Sequence, residues 1–192
     1  MIAHIINQIA GMKSYLELGI GNGTNFEAVE CKSKTSVDVN GRATFTGTTD
    51  DFFAQLSLRK KFDVIFIDAN HDFEYVLRDF NNCIEHCRKW ILIHDMIPPS
   101  EKYTASRFCS DSYRLLWWFW ERRDIDNRGY TTYTMSDNYG LTFVEMPAGP
   151  INEVEIMAWY KSKKVVSYGQ FMELAKIKRL YSVDKIIEKL RG

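Results

Sequence analysis

The sequence predicts an α/β fold in which helices cover a mostly parallel β-sheet. Three observations lead to this prediction. Short apolar segments of strand character alternate along the chain with amphipathic segments of helical periodicity. The segments 62–68 and 90–94 are almost continuously apolar, as strands buried on both faces of a parallel sheet are. A turn rich in glycine follows the first strand and opens a helix.

Length and composition describe an ordinary globular domain. A chain of 192 residues is long enough for one domain with a substantial core. The 25 basic and 25 acidic side chains cancel, which indicates neither a nucleic acid nor a membrane as partner. No apolar run has the length of a membrane span, and the four cysteines form no C-x-x-C pair. We therefore expect a cytoplasmic protein with reduced thiols, and the sequence leaves a homo-oligomer open.

The first third of the chain predicts an unusual sheet edge. Its predicted elements are a helix, a strand, a helix and two strands, at 2–11, 14–18, 25–32, 35–39 and 43–46. The last two strands flank Asn40-Gly41, a strong hairpin signal, whereas a parallel neighbour would need a crossover of roughly a dozen residues. The edge pair is therefore either antiparallel, or the usual connecting helix and third strand are shortened.

From residue 51 the alternation continues, and the last two strands form a hairpin. The predicted elements are a helix at 51–60, a strand at 62–68, a helix at 73–87, a strand at 90–94, a helix at 110–123, and strands at 130–135 and 141–145. The polar loop after Pro98-Pro99 is long enough to be a lid.

Three helices close the chain, at 151–161, 168–180 and 182–190. Residues 161–192 carry nine basic and three acidic side chains, with apolar residues spaced among them as on helices with one buried side. We expect residues 1–150 to form one domain, and residues 151–192 to be a helical extension packed on it or on a partner subunit.

The aromatic run Trp117-Trp118-Phe119-Trp120 has two interpretations, because four consecutive residues cover every face of a helix. Packing in the core or against a second subunit is the interpretation we favour. The alternative is that part of the run lines a binding pocket. The helical spacing directs Trp117 and Trp120 towards the core and predicts Trp118 as the more exposed residue.

The glycine-rich turn is the most informative stretch. Residues 15–25 read Tyr-Leu-Glu-Leu-Gly-Ile-Gly-Asn-Gly-Thr-Asn, and Thr24 stands where the dinucleotide fingerprint needs its last glycine. Glu-x-Gly-x-Gly-x-Gly after a first strand resembles the cofactor loop of class I S-adenosylmethionine (SAM) methyltransferases. The resemblance assigns to the cofactor Glu17, Gly19, Gly21, Asn22 and Gly23, with the acidic residue helping to hold the methionine ammonium group. A tight turn without a ligand is the alternative.

The next acidic strand end supports the same resemblance. Asp38 ends the second strand, where the family holds both ribose hydroxyls, although a solvated turn residue is the alternative. Thr48 and Thr49 follow where the family contacts adenine, and Gly47 allows a close approach. Asp68, at the end of another strand, also faces the expected cofactor because ligands lie beyond the carboxyl ends of the strands.

The second half is similar to the group known as methyltransferase domain 24. The resemblance rests on the segments 62–71 and 91–95 and extends from about residue 15 to 145. Related metal-dependent O-methyltransferases would hold a divalent cation such as Mg²⁺ with Asp68, Asp95 and the residue after it. That residue is Met96, which is no ligand for a hard cation, so His94 or a lid residue would have to replace it.

Two histidines are candidates for the general base. His71 occupies the position of the catalytic lysine of catechol O-methyltransferases, and an imidazole removes protons well at neutral pH. Capping a helix or contacting adenine are the alternatives for His71. His94 is the second candidate, with Asp95 expected to orient its ring.

The resemblance implies a Rossmann-like class I methyltransferase sheet with a C-terminal hairpin, a shortened edge at its second and third strands, and extra C-terminal helices. It implies SAM-dependent methyl transfer to a hydroxyl of a small molecule or a glycan. Two alternatives stay open: a non-catalytic SAM-fold module that binds a partner, and an NAD-dependent oxidoreductase on a related fold.

Overall fold

A computed structural model describes residues 1–105, 107–126, 130–163, 167–178 and 180–191. Seven strands form one sheet: β1 (Ser14–Leu18), β2 (Ser33–Asp38), β3 (Phe45–Thr46), β4 (Phe62–Ile67), β5 (Cys87–Ile93), β6 (Thr132–Met135) and β7 (Leu141–Glu145). Their order is β3-β2-β1-β4-β5-β7-β6. Strands β1 to β5 are parallel, and β7 is antiparallel to both of its neighbours. The predicted fold class is confirmed.

Eight α-helices and one 3-10 helix are found among the described residues. They are α1 (Ile2–Ile6), α2 (Thr24–Ala28), α3 (Thr49–Gln55), α4 (Phe73–Ile84), α5 (Tyr113–Asp126), α6 (Glu153–Lys163), α7 (Tyr168–Ile177), α8 (Val183–Arg191) and the 3-10 helix Glu101–Thr104. Helix α4 ends before its predicted limit because Cys87 already pairs with Phe62 as the first residue of β5. No helix in this described part of the chain is both long enough and apolar enough to cross a membrane.

The strand register brings the carboxyl ends of four strands into one row. Leu18 of β1 pairs with Val37 on one side and with Ile67 on the other, and Ile67 pairs with Ile93 of β5. The residues that follow these strands therefore lie side by side at one edge of the sheet.

The sheet separates two apolar cores, because successive side chains of a strand point to opposite faces. Ile65 and Ile67 of β4 pack with α3, α4, α5 and α7, whereas Val64 and Phe66 pack with α1 and α8. The C-terminal helices thus contribute buried side chains to the domain itself, such as the fully buried Phe171 of α7. The division of the chain at residue 150 stays a prediction, and Lys164 and Arg179 of the basic segment lie outside the described residues.

At the sheet edge, the alternative of a shortened connection and third strand is correct. Strand β3 is only two residues long and pairs in parallel with β2, Val37 opposite Phe45. The Asn40-Gly41 hairpin prediction is therefore wrong. Asp38 Oδ1 accepts a hydrogen bond from Asn40 N, and Asn40 Oδ1 accepts one from Arg42 N, so two side-chain turns carry the chain across without reversing it.

The prediction that Trp118 is exposed is wrong. All four aromatic residues of the run are buried, and Trp118 is only 5% exposed. Helix α5 lies between the sheet and the C-terminal helices, which cover its outer side. The ring of Trp118 lies 5.3 Å from that of Trp159 in α6, and Trp120 stacks on Phe171 of α7 at 5.8 Å.

Candidate functional site

A cleft of about 620 Å³ opens at the carboxyl edge of the sheet. It extends from the start of α3, past the glycine turn, to the lid segment that follows β5. Of the residues predicted for the site, its wall contains Gly19, Gly21, Asp38, Thr48, Thr49, Asp68 and His71. Glu17, Asn22, Gly23, His94 and Asp95 lie behind or beside this wall.

The glycine turn passes so close to β4 that a side chain has no room. At Gly19, with φ of +81°, an added Cβ would lie 2.2 Å from the carbonyl oxygen of Asp68. At Gly21, with φ of +51°, an added Cβ would meet no other atom within 4 Å. Gly19 is therefore required by the fold, whereas Gly21 keeps the cleft open and its backbone accessible.

Asp38 holds the glycine turn from the neighbouring strand. Its Oδ2 accepts hydrogen bonds from the backbone N–H groups of Ile20 and Gly21, at 2.8 and 3.0 Å. The next polar residue of the turn, Asn22, is exposed and uses its Oδ1 to accept from Thr24 N at 3.0 Å. The carboxylate thus shapes the loop that it borders, while Asn22 stabilises the start of α2.

Glu17 lies beneath the turn rather than in the cleft. It is 1% exposed, and its Oε2 accepts hydrogen bonds from Tyr15 Oη at 2.6 Å and from Asn25 Nδ2 at 3.1 Å. Burial raises the pKa of Glu17 to about 7, although both of these hydrogen bonds favour its charged form. Its role towards an ammonium group stays a prediction.

The far end of the cleft is formed by the start of α3 and one face of α4. Thr48 is the N-cap of α3 and forms a capping box with Asp51. Arg78 of α4 pairs with Asp50 at 2.9 Å. The sequence reasoning missed Asp79, which lines this end although it is only 2% exposed. Its position among the apolar residues of α4 was the signal that could have identified it.

Two carboxylates and two imidazoles meet at the ends of β4 and β5. His94 Nδ1 lies 3.0 Å from Asp68 Oδ1 and 3.4 Å from Asp95 Oδ2. His71 Nδ1 lies 3.0 Å from Asp95 Oδ2, and His71 Nε2 lies 3.4 Å from Asp68 Oδ1. We expected Asp95 to orient His94, but Asp95 lies closer to His71, and Asp68 is the nearer partner of His94.

The two carboxylates favour the protonated form of both rings. Burial alone would lower the pKa of His94, but the hydrogen bonds and charges of Asp68 and Asp95 outweigh it and raise this pKa to about 10. Burial likewise opposes the charge of His71, and Asp68 and Asp95 again raise its pKa. In return, the two histidines outweigh the burial of Asp68 and hold its pKa below the usual value.

The lid segment after β5 is bound to this cluster through contacts that the sequence did not reveal. The carbonyl oxygen of Phe108 lies 2.5 Å from His71 Nδ1. The thiol of Cys109 donates to Asp95 Oδ1 at 3.4 Å, and Ser112 Oγ donates to Asp95 O at 2.7 Å. Both neighbours of His71 Nδ1 are oxygen acceptors, so this nitrogen carries the hydrogen. Nε2 of a neutral ring then presents a lone pair.

The turn between β6 and β7 contacts the cluster at His94. Gly140 N donates to Asp137 O, and the two central residues, Asn138 and Tyr139, have φ of +55° and +66°. This is the geometry of a turn that favours glycine, so Tyr139 is held there at a conformational cost. Asn138 Nδ2 lies 3.1 Å from His94 Nε2, and the ring of Tyr139 lies 6.5 Å from that of His94.

The cluster offers only part of the protein donor set predicted for a Mg²⁺ site. Asp68, His71 and Asp95 each offer a ligand atom, and these atoms lie within 4.8 Å of one another. Mg²⁺ requires oxygen ligands, however, and Met96 is wholly buried and offers only a thioether. The ring of His94 also lies between the two carboxylates. The predicted metal ligands Asp68 and Asp95 therefore lack an oxygen ligand at position 96, and their role towards a metal stays a prediction.

The sheet order, the glycine turn and the cleft at the strand ends define a Rossmann-like fold, a class in which ligands bind at the carboxyl edge of the sheet. Residues 17–96 match the family model described as a methyltransferase domain, Methyltransf_24. The predicted resemblance to this group is confirmed for that segment, which is less than half of the chain. A comparison with curated proteins gave no match.

Solved structures confirm the fold. An O-methyltransferase from Bacillus cereus in complex with SAH is 17% identical, with a TM-score of 0.53 over 75% of this chain and 78% of that one. The O-methyltransferase TomG from Streptomyces achromogenes, in complex with SAM, is 13% identical, with a TM-score of 0.55 over 77% and 78%. The MycE methyltransferase of the mycinamycin pathway, with Mg, SAH and mycinamycin VI, is 16% identical, with a TM-score of 0.50 over 78% of this chain and 50% of that one. At these identities the likeness concerns the fold.

Proposed function

We propose that this protein transfers the methyl group of SAM to a hydroxyl oxygen, with His71 as the base that removes the hydroxyl proton. The observation that carries the proposal is the state of His71. Its Nδ1 is occupied by Phe108 O and Asp95 Oδ2, while its Nε2 is buried, makes no hydrogen bond to any described residue and lies 3.4 Å from Asp68 Oδ1. When the ring is neutral, this buried nitrogen beside the cleft carries the lone pair that proton removal requires.

The cofactor fits the opposite part of the cleft. Asp38 has acceptor capacity left after binding the glycine turn, because each carboxylate oxygen accepts more than one hydrogen bond, so it can also hold the ribose hydroxyls. Thr48 and Thr49 line the end where adenine would lie. The relatives crystallised with SAH or SAM support this choice of cofactor.

When bound, SAM supplies a methyl group on a sulfonium, which is already a good leaving group. The chain must then align the acceptor oxygen with the methyl group and take up one proton. His71 Nε2 accepts that proton while Asp95 stabilises the resulting imidazolium through Nδ1. Asp68 and Asp95 give the site the negative charge that favours a cationic cofactor, and His94 holds both carboxylates in place.

The acceptor reaches His71 from the lid side of the cleft. Phe108 and Arg107 of the lid, together with Tyr75 of α4, form the wall there. Phe108 is 38% exposed, and its ring packs on that of Tyr103, 5.0 Å away, which in turn lies 5.5 Å from Tyr139. This aromatic border favours acceptors that carry a ring, and both a small molecule and a glycan meet that description.

The first test compares SAM with NAD by calorimetric titration of the full chain. We expect SAM to bind and NAD to give no heat. Methyl transfer from labelled SAM is then measured on phenols, catechols and monosaccharides, with EDTA present. Binding of SAM without turnover on any acceptor would favour the non-catalytic SAM-fold module. Activity that EDTA abolishes and Mg²⁺ restores would contradict the metal-free chemistry.

The second test concerns the base. We expect His71→Ala to lower kcat by about 100-fold or more, because general-base catalysis contributes that much, while the SAM dissociation constant changes little. The matched control is His4→Ala, since His4 is exposed on α1 away from the cleft. The pKa of His71 is raised above 6.5, so the wild-type rate should fall with decreasing pH through a midpoint above 6.5. Full activity in His71→Ala would remove the assignment.

A further inference from the structure

One face of α4 lines the cleft. Asp72, Tyr75 and Asp79 follow one another at the helical spacing i, i+3 and i+7, and all three line the cleft. The first two are partly or largely exposed, but Asp79 is 2% exposed. Its neighbours on the helix, Val76 and Phe80, belong to the apolar core. A carboxyl group is therefore buried where the helix meets the cleft.

The buried carboxyl group is incompletely satisfied by the described residues. Burial raises the pKa of Asp79 to about 6; Thr49 and Arg78 oppose this only in part, and Arg78 is already paired with Asp50. A carboxylate has about four acceptor directions, so acceptor capacity is left over. Burying a carboxylate that has too few hydrogen-bond donors destabilises the folded state, unless a ligand supplies a donor.

We propose that Asp79 accepts a hydrogen bond from the exocyclic amino group of the adenine ring and so makes the cleft selective for adenine over bases with a carbonyl at that position. The inference rests on the proposed function, which places adenine beside Thr48 and Thr49, at the same end of the cleft as Asp79. Adenine offers an N–H donor at its position 6, whereas hypoxanthine presents an acceptor oxygen there. A carboxylate facing that oxygen would place two hydrogen-bond acceptors opposite each other, with no donor between them.

A purely structural role for Asp79 makes a different prediction. Through Thr49 the carboxyl group could simply hold the start of α3 against α4. In that case its replacement would weaken the binding of every ligand alike or lower the stability, without regard to the base. The identity of the base therefore separates the two roles.

The experiment titrates the full chain with S-adenosylhomocysteine and with S-inosylhomocysteine, in which an oxygen replaces the amino group. We expect the wild type to prefer the adenine compound by about 30-fold or more, since unpaired buried polar groups discriminate strongly. Asp79→Asn should reduce this preference by about tenfold or more, because its amide can donate to the oxygen. Glu85→Gln is the matched control, an exposed acid at the end of α4, and should keep the wild-type ratio.

The outcomes are distinct. A ratio that Asp79→Asn leaves unchanged, or a wild type without preference, overturns this inference and leaves the proposed function standing. Failure of the wild type to bind S-adenosylhomocysteine overturns the proposed function and the inference with it. Thermal unfolding of each variant is measured alongside, and Asp79→Ser replaces the amide if that variant does not fold. The serine variant should also lose the preference.

Discussion

The two sides of the cleft are built in different ways. On the cofactor side, backbone groups of the glycine turn are held by Asp38, and the close approach of Gly19 to β4 fixes the turn sterically. On the acceptor side, side chains from separate segments meet, and His71 contacts both Asp95 and the lid carbonyl of Phe108. One side is determined by backbone geometry, and the other by a cluster of coupled charges.

This difference in construction determines whether a substitution alters affinity or alters rate and pH dependence. A backbone turn tolerates few substitutions but has no charge to titrate. In the cluster, each carboxylate stabilises the charge of an imidazole, so the pKa of every member depends on the others. Substitutions on the cofactor side should therefore alter affinity, whereas those on the acceptor side should alter rate and pH dependence.

The largest expected effect is on the cofactor side. Asp38→Ala should weaken SAM binding by about 100-fold or more, because it removes the hydrogen bonds to the glycine turn and, on the proposed function, those to the ribose. Asp63→Ala is the matched control: Asp63 Oδ2 accepts from the backbone N–H groups of Lys13 and Ser14 at the other end of β1. The control should lose stability but keep its affinity for SAM. An unchanged dissociation constant in folded Asp38→Ala would contradict the ribose assignment.

The difference between the two sides of the cleft also explains which site residues could be predicted from the sequence. The cofactor side depends on residues near each other in the chain and on strand ends, so the resemblance of the glycine turn and of the second strand end to the methyltransferase pattern was enough to propose Gly19, Gly21 and Asp38. The acceptor side joins Phe108 to His71 and Asn138 to His94, pairs that only the folded chain brings together. No local pattern marks a lid carbonyl as a hydrogen-bond partner.

Among the elements, those with a strong local signal were predicted best. Strands β1 and β7 have the predicted limits, because their apolar patterns are strong. The edge at β3 and the exposure of Trp118 were not predictable in this way. The first depends on side-chain turns at Asp38 and Asn40, and the second on helices that arrive much later in the chain.

A smaller effect, on stability, is expected for Glu17, the buried acid beneath the glycine turn. The pKa of Glu17 rises from 4.5 to about 7 on folding, so the folded state holds a proton that the unfolded chain releases. Stability therefore decreases as pH rises through this window, by about 2 kcal/mol between roughly pH 5 and pH 7.

Glu17→Gln should remove this contribution, because the amide does not titrate. Urea unfolding at both pH values measures it, and the free energy of unfolding of the variant should depend less on pH than that of the wild type by this amount. The other titrating groups, such as His94, are common to both proteins and cancel in the comparison. Equal pH dependence in the two proteins would show that Glu17 is ionised in the folded state.

The smallest expected effect is on the acceptor side, at the turn between β6 and β7. Tyr139 has φ of +66°, which asparagine tolerates better than tyrosine, so Tyr139→Asn should relieve strain. The variant loses the packing of the ring on Tyr103 and the contact with His94. We expect the two effects on stability to offset each other to within about 1 kcal/mol. The affinity for SAM should not change, whereas KM for the acceptor should rise about threefold to tenfold, because the aromatic border of Tyr103 and Phe108 loses its contact with Tyr139.

The matched control is Asp137→Asn, an exposed residue of the same turn, which should leave both constants unchanged. Chemical unfolding, SAM titration and acceptor kinetics on the two variants give the three readouts. If Tyr139→Asn instead lost stability by several kcal/mol with KM unchanged, the ring would be a structural support of the turn. A change in the affinity for SAM would show that Tyr139 acts on the cofactor side of the cleft, which contradicts this prediction. If the turn is shaped for the acceptor, the strained conformation of Tyr139 should affect KM without affecting the stability of the fold.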